Sequence, residues 1–474
     1  GPQVYRLDLI GMEGSMQSKT IEAPAQARRG LPLSVQVLYG IGVSYAIVDQ
    51  IFNQWVLYFF LPPEGSGLPA GVLSAGLIAL ALMVSRLVDT IADPLIGYWS
   101  DRVSTRWGRR IPFVFAGAVP LALCTIMFFY PFGSSQLSVF LSLMITGSLF
   151  FIFYTIVGAP YNALIPEISG SKADRLNLST WQSVFRLLYT ALAMILPGIL
   201  IVVFGGGDTA RGIRGMAMLF SLLMVLFIMI CCFGINERRY SGGKASSTNL
   251  SQSLKAMLGN KSFLVYLGGF LFFFIGFNVL RQSMNYYVVV IMEKSEGAIT
   301  LVSALLFGVS ALFFLPVNML SKRIGYRKPM LISLILLFVL SLSLFGLGRI
   351  FPTSMGYLLF ALIGIPVAGA AFIFPPAMLS EIAAVAAKKS GEQIEGLYFG
   401  VQGFFLKLAA FAAIAILPIL LVSGQGLSLV DSLVRPPTAV AATGIYRTAV
   451  LAAGSFVISF VFYSFYREEF IEDE

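Results

Sequence analysis

The sequence predicts an all-α membrane protein of twelve transmembrane helices in two six-helix bundles, and three observations carry that expectation. Hydrophobic residues make up 57% of the 474-residue chain and charged residues only 12%, against roughly 25% charged in an ordinary soluble domain. The apolar residues gather into runs of at least the ~20 residues that a helix needs to cross a bilayer. Most of the charges sit in the short segments between those runs.

The runs lie near 35–61, 70–99, 111–131, 137–164, 180–205 and 214–235, then near 263–292, 298–320, 329–348, 356–384, 397–423 and 441–466. The two sets of six are separated by 236–262, which is polar, basic and rich in Ser and Gly, as a flexible linker is. The expected organisation is one bundle at 31–235, a linker at 236–262, a second bundle at 263–467 and a tail at 468–474. Two bundles of six with a central loop is the plan of the major facilitator transporters. Residues 1–30 hold no apolar stretch of the kind a cleavable signal peptide needs. They are expected to be disordered, with Gly1 and Pro2 ahead of Met12 and Met16 reading as a remnant of cloning.

Charge placement sets the expected orientation. Arg102, Arg106, Arg109 and Arg110 follow the second run, Arg238, Arg239, Lys244, Lys255 and Lys261 lie in or beside the linker, and Lys322, Arg323, Arg327 and Lys328 follow the eighth. The alternate connections are poorer in Lys and Arg. Basic loops stay on the cytoplasmic side, so both termini are expected there. The net charge of +9 is thus topological, and no nucleic-acid partner is expected. The partners expected are the lipid bilayer and a small-molecule or lysolipid substrate, with the chain a monomer in a plasma membrane, such as a bacterial inner membrane.

Composition also removes chemistries. There is no histidine, which excludes His-based metal sites, Ser-His-Asp catalysis and imidazole proton shuttles. Cys124, Cys231 and Cys232 lie inside apolar runs without metal-ligand or disulfide spacing. No enzyme and no cofactor is expected, and ion handling falls to carboxylates, Lys and Arg.

The informative residues are charges inside the runs, because each costs at least ~2.5 to 3.5 kcal/mol at mid-membrane. Asp89 and Asp93 lie one turn apart on one face of the second run, with Arg86 one turn before Asp89 and Pro94 directly after the pair. Pro94 leaves the Thr90 carbonyl without its helical donor. Such an oxygen-rich pocket suits a sodium ion or a proton, and a fixed Arg86–Asp89 ion pair is the plain alternative. Lys407 lies equally deep in the eleventh run, and the acid pair is its most economical partner. Asp49, Gln50, Asn53 and Gln54 beside Trp55 in the first run, and Asn278, Arg281, Gln282 and Asn285 in the seventh, form polar stripes expected to line a water-filled path. Asp49 and Arg281 could instead neutralise each other. The Asn and Gln amides of both stripes suit hydroxyl-bearing cargo, whereas Arg281 and Arg186 suit a carboxylate or phosphate.

The run Ser85-Arg86-Leu87-Val88-Asp89-Thr90-Ile91-Ala92-Asp93-Pro94, followed by Arg106-Trp107-Gly108-Arg109-Arg110, resembles the glycoside-pentoside-hexuronide:cation symporter family, to which melibiose permease belongs. The likeness extends over nearly the whole chain, through Tyr154-Thr155, Pro160-Tyr161-Asn162, Leu379-Ser380-Glu381 and Gln402 leading to Lys407. It implies a coupling-ion site for Na+ or H+ at Asp89, Asp93, Thr155 and Lys407, and a gating motif at Gly97, Asp101, Arg102, Arg109 and Arg110 on the cytoplasmic side. The substrate region would involve Asp49, Asn53, Trp55, Tyr154, Asn162, Arg186, Asn278, Arg281, Gln282, Asn285 and Gln402. Gly158 and Asn162 stand where that permease has an aspartate and a tryptophan, so a different cargo is expected. Parts of the same pattern are similar to the animal lysophospholipid symporters, which adds a lysolipid to the sugars, glycosides and hexuronides as candidate cargo.

Overall fold

The computed structural model describes residues 30–467 except 65, 69–70, 104, 241–258, 391–394, 425–427 and 435–439. The first half contains α1 (Leu33–Phe60), α2 (Ala75–Arg102), α3 (Ile111–Met127), α4 (Gln136–Ile168), α5 (Lys172–Ile195, continued by Pro197–Gly205) and α6 (Thr209–Gly234). The second contains α7 (Lys261–Ile291), α8 (Gly297–Ile324), α9 (Arg327–Phe345), α10 (Met355–Ala386), α11 (Glu395–Val422) and α12 (Ala442–Phe465). Among the described residues, ten helices are long and apolar enough to cross a membrane, and the two parts of α5 make an eleventh bent by 45°. The 17-residue α3 is shorter but apolar throughout.

Capping residues, rather than hydropathy, set where these helices begin. Ser74, Ser135 and Ser171 each accept a backbone N–H from three residues on, at Leu77, Ser138 and Asp174, which satisfies a donor the first turn would leave free. Hydropathy places the fifth run at 180, yet α5 starts at Lys172 because its first two turns are polar and capped. At the other end, Pro197 cannot donate to the preceding turn, and there the helix bends. Helix α1 is irregular too, with a 3-10 turn at Gly42–Tyr45 and a π turn at Phe52–Val56. Its counterpart α7 repeats the π turn at Tyr287–Ile291.

Close helix packing positions the central layer. Helices α2 and α4 run parallel and are major neighbours, and α2 also packs on α11 of the other half. A Cβ on Gly147 of α4 would meet the Ser85 Oγ at 2.3 Å, so glycine lets the two helices approach there. Asp93 and Thr155 each follow that crossing by eight residues, or ~12 Å of helix, and so arrive at the same level. Exposed Leu, Ile, Val and Phe cover the outside of both bundles, as helices facing lipid require.

Candidate functional site

Two helices of the first half and one of the second build the central charged cluster. Lys407 Nζ of α11 lies 3.1 Å from Asp89 Oδ1 and 2.5 Å from Asp93 Oδ2 of α2. Thr155 Oγ1 of α4 lies 3.3 Å from Asp89 Oδ1 and 3.2 Å from Asp93 Oδ1. The hydroxyl carries one proton and can donate to only one carboxylate at a time. Asp89 is 2% exposed, whereas Asp93 is 45% exposed and Lys407 31%. One acid is therefore sealed, and its neighbour is reachable by a small ion. An opening bounded by Arg86, Asp89, Thr90, Phe404 and Lys407 adjoins them.

Arg86 ties the cluster to α1. It donates to Asn53 Oδ1 at 2.9 Å, stands 3.8 Å from Asp89 and 3.9 Å from Asp49, and lies over the rings of Phe151 and Phe52 at 4.3 and 5.1 Å. Asn53 in turn donates to the Asp49 carbonyl at 2.7 Å, one turn back at the edge of the π turn. Arg86 is thus held by an amide, two aromatic faces and two distant carboxylates, which leaves Asp89 free to favour Lys407.

The polar stripes do not behave as the sequence suggests. Asn53, Gln54, Asn278, Gln282 and Asn285 are all buried, so in this conformation they do not line an open path. Gln54 Nε2 donates to Asn285 Oδ1 at 3.0 Å, and Asn285 donates back to the Gln54 carbonyl at 3.3 Å. Asp49 and Arg281 do not pair: Asp49 faces Arg86, and Arg281 donates to Gln50 Oε1 at 2.5 Å and Asn278 Oδ1 at 3.1 Å. Trp55 lies in the π turn and is fully buried against Tyr58. The same seam continues outward through Tyr58 and Glu296, Tyr286 and the Leu61 carbonyl, and Thr300 and the Ile199 N–H.

On the first half's inner face, Arg186 of α5 donates to Tyr45 Oη at 3.0 Å, and Tyr45 packs edge-on against Tyr154. A Cβ on Gly158 would lie 3.4 Å from the Tyr45 ring. The tyrosine therefore fills space that a larger side chain at Gly158 would contest. Asn162 is exposed and accepts from Gln182 at 2.7 Å. Gln402 of α11 donates to Tyr266 Oη at 2.6 Å, a level apart from Lys407.

At the basic end, Gly97 faces open space and Arg102 is exposed, and the Asp101 side chain lies outside the described residues. Arg110 Nε and Arg109 Nη2 lie 2.7 and 3.3 Å from Glu167 Oε1, and Arg110 also donates to Ser100 Oγ at 2.7 Å. The Glu237 carboxylate accepts the backbone N–H groups of Arg109, Arg110 and Ile111 at 2.7 to 3.1 Å. An anion at the N-terminus of α3 meets the positive end of its dipole. Gly108, at φ +121°, makes the turn that allows this contact. Sequence reasoning missed Glu167, Glu237, Tyr45, Tyr58 and Glu296; the signal available for the two basic-end acids was an acid standing among cations that were read only as topology markers.

A deep acid pair thus faces a lysine across helices long and apolar enough to cross a membrane. Residues 38–467 match the family model described as MFS/sugar transport protein, and the chain belongs to that family. It is 27% identical over 390 residues to the putative glycoside/cation symporter YagG of Escherichia coli (strain K12), covering 80% of each chain. It is 24% identical over 346 residues to the isoprimeverose transporter of Lactiplantibacillus pentosus, covering 71% of this chain and 70% of that one. Among solved structures, a D-xylose-proton symporter superposes with a TM-score of 0.65 at 16% identity, covering 92% of this chain and 97% of that one. The protein is an integral membrane transporter of the major facilitator fold.

Proposed function

We propose that the protein is a secondary active transporter that couples the entry of Na+ or H+ to symport of a sugar, glycoside or hexuronide by alternating access. The observation that carries this reading is the bridge from Lys407 to Asp89 and Asp93, with Thr155 at hydrogen-bond distance from both acids. It joins the two halves through charges that a cation can replace. With no cation bound, the lysine neutralises the acids. A cation reaching Asp93, the more accessible acid, takes over that role and releases α11 from α2.

The other assignments belong to the same reading. Under it the chain crosses the membrane twelve times, with both termini and the basic loops in the cytoplasm. The Gln54–Asn285 and Tyr58–Glu296 contacts then close the outer side, while Gly97, Gly400 and Gly403 face open space nearer the cytoplasm. These features support an inward-facing state. One cation moving down a 100 mV potential supplies about 2.3 kcal/mol, enough for roughly fifty-fold accumulation of a neutral solute. The glycoside and isoprimeverose relatives favour sugar-derived cargo.

Uptake into liposomes with and without an imposed sodium or proton gradient tests the reading. Asp93→Asn is expected to keep the protein folded and abolish gradient-driven uptake. Unchanged gradient dependence in that variant would remove the ion site from these residues.

A further inference from the structure

Outside the central layer, the basic end of the first half carries a surface that the transport cycle does not use. Arg106 and Trp107 stand in the loop between α2 and α3, and Arg239 and Tyr240 in the short helical turn that follows α6. Arg238 donates to the Thr105 carbonyl at 2.7 Å, which holds the two segments side by side. Glu237, the residue before it, fixes the same loop through the backbone N–H groups of Arg109, Arg110 and Ile111.

The charges of this surface are unevenly spent. The two acids that meet the loop are turned inward, Glu237 at 1% exposed and Glu167 at 8%, and are taken by those N–H groups and by Arg109 and Arg110. Arg106 and Arg239 are exposed. Each lies over the ring that follows it, Trp107 at 5.8 Å and Tyr240 at 5.9 Å. Neither forms an ion pair with a carboxylate among the described residues. An aromatic face attracts a guanidinium without neutralising it.

Next to these cations the surface turns apolar. Trp107 is 50% exposed and Phe233, in the last turn of α6, 75%. Phe115 of α3 joins them, its ring centre 5.8 Å from each. Helix α3 begins at Ile111 and α6 ends at Gly234, so the row lies at the level where a spanning helix passes from hydrocarbon to headgroups. Tryptophan concentrates at that level, and arginines just beyond it attract anionic headgroups.

We propose that this surface holds an anionic phospholipid, with its phosphate between Arg106 and Arg239 and an acyl chain along Phe115 and Phe233. The occupant follows from position and charge. The chain is integral to a bilayer, so the aromatic row meets acyl chains, and the two arginines call for a headgroup of net negative charge. A zwitterionic headgroup would bring its own cation toward them. A soluble phosphate would satisfy the arginines and leave the aromatic row without a partner. The proposal goes beyond the transport reading and holds for any coupling ion or cargo. The lipid would also cover the joint between the α2–α3 loop and the start of the linker.

The test is native mass spectrometry of the purified full chain, given phosphatidylglycerol and phosphatidylcholine with the same acyl chains at equal concentration. Phosphatidylglycerol is expected to be retained about fivefold more than phosphatidylcholine. The double variant Arg106→Gln with Arg239→Gln is expected to bring the two lipids within about twofold of each other. Lys322→Gln with Lys328→Gln removes the same charge from exposed positions in the second half's basic loop and is expected to keep the preference. Phe233→Ser is expected to lower retention of both lipids. Unchanged circular dichroism and melting temperature show that the variants are folded. Equal retention of the two lipids by the unaltered protein, a preference that survives the arginine variant, or one lost equally in the lysine variant overturns the proposal. So does undiminished retention in Phe233→Ser. Release of phosphatidylglycerol by an equal concentration of glycerol phosphate would overturn it too, and would give the arginines to a soluble anion.

Discussion

Two contacts hold the halves together at the centre, and they differ in kind. At the α2–α11 contact, Lys407 meets two acids, one sealed and one accessible. At the α1–α7 contact, Gln54 and Asn285 exchange amide hydrogen bonds in full burial. In the proposed cycle the strength of the first depends on what else occupies the carboxylates, because a sodium ion or proton would do the lysine's work. The second is indifferent to ions and changes only when the helices part. A transporter needs both: one contact that responds to the coupling ion, and one that opens in consequence.

The largest effect is expected where the charged contact loses its sealed acid. Asp89 lies 3.1 Å from Lys407 and 3.8 Å from Arg86, and removing one partner of a buried ion pair costs about 3 to 5 kcal/mol. Asp89→Ala should lower the melting temperature steeply, and adding Lys407→Ala should restore part of the loss, as read by thermal unfolding. Independent, additive losses would show that the pair does not act as a unit.

At the basic end a smaller loss is expected. Glu237 caps α3 through three backbone N–H groups, and Glu237→Ala should cost about 1 to 2 kcal/mol in a denaturant titration. A larger loss than that of Asp89→Ala would reverse the ranking of the two regions.

The amide seam should respond differently again. Asn285→Leu removes both bonds to Gln54, worth about 1 kcal/mol each, and should shift the population toward an open outer side. Labelling of a cysteine introduced at Leu57, buried between Gln54 and Tyr58 in the chain, reads that shift, and its dependence on the coupling ion should survive. Loss of ion dependence in Asn285→Leu would mean that the two contacts are not separable.

The smallest effect concerns pH. Burial pushes the Glu296 carboxyl above its ordinary value, with the Tyr58 hydrogen bond opposing the shift. The raised value belongs to the closed outer side, so its contribution is full below the ordinary carboxylate range and is lost as pH rises through the raised value. Outer-side closure should therefore weaken with rising pH in that window, and Glu296→Gln should flatten the profile of the same labelling assay. A steep profile retained in the variant would assign the titration to another group.

Much of the charged contact was legible in the sequence, and little of the amide seam was. Asp89, Asp93 and Lys407 violate the apolar rule so plainly that a partner had to exist, and one helical turn between the acids placed them on a single face. The stripe of Asn278, Gln282 and Asn285 was equally visible, but periodicity says which residues share a face and not what that face meets. The π turn at Phe52–Val56 holds Asn53, Gln54 and Trp55 and so breaks the helical spacing of the first stripe, and nothing in the local sequence announces it. Glu237 escaped notice because its role depends on an N-terminus more than a hundred residues away in sequence.

The central claim is that Lys407 and the coupling ion compete for the same carboxylates. Isothermal titration of sodium and of protons into the purified protein and into Lys407→Gln tests it most directly. Competition predicts that the variant binds the coupling ion at least tenfold more tightly while losing gradient-driven uptake. Weaker or unchanged ion binding in Lys407→Gln would contradict it, and would make the lysine a fixed strut between the halves.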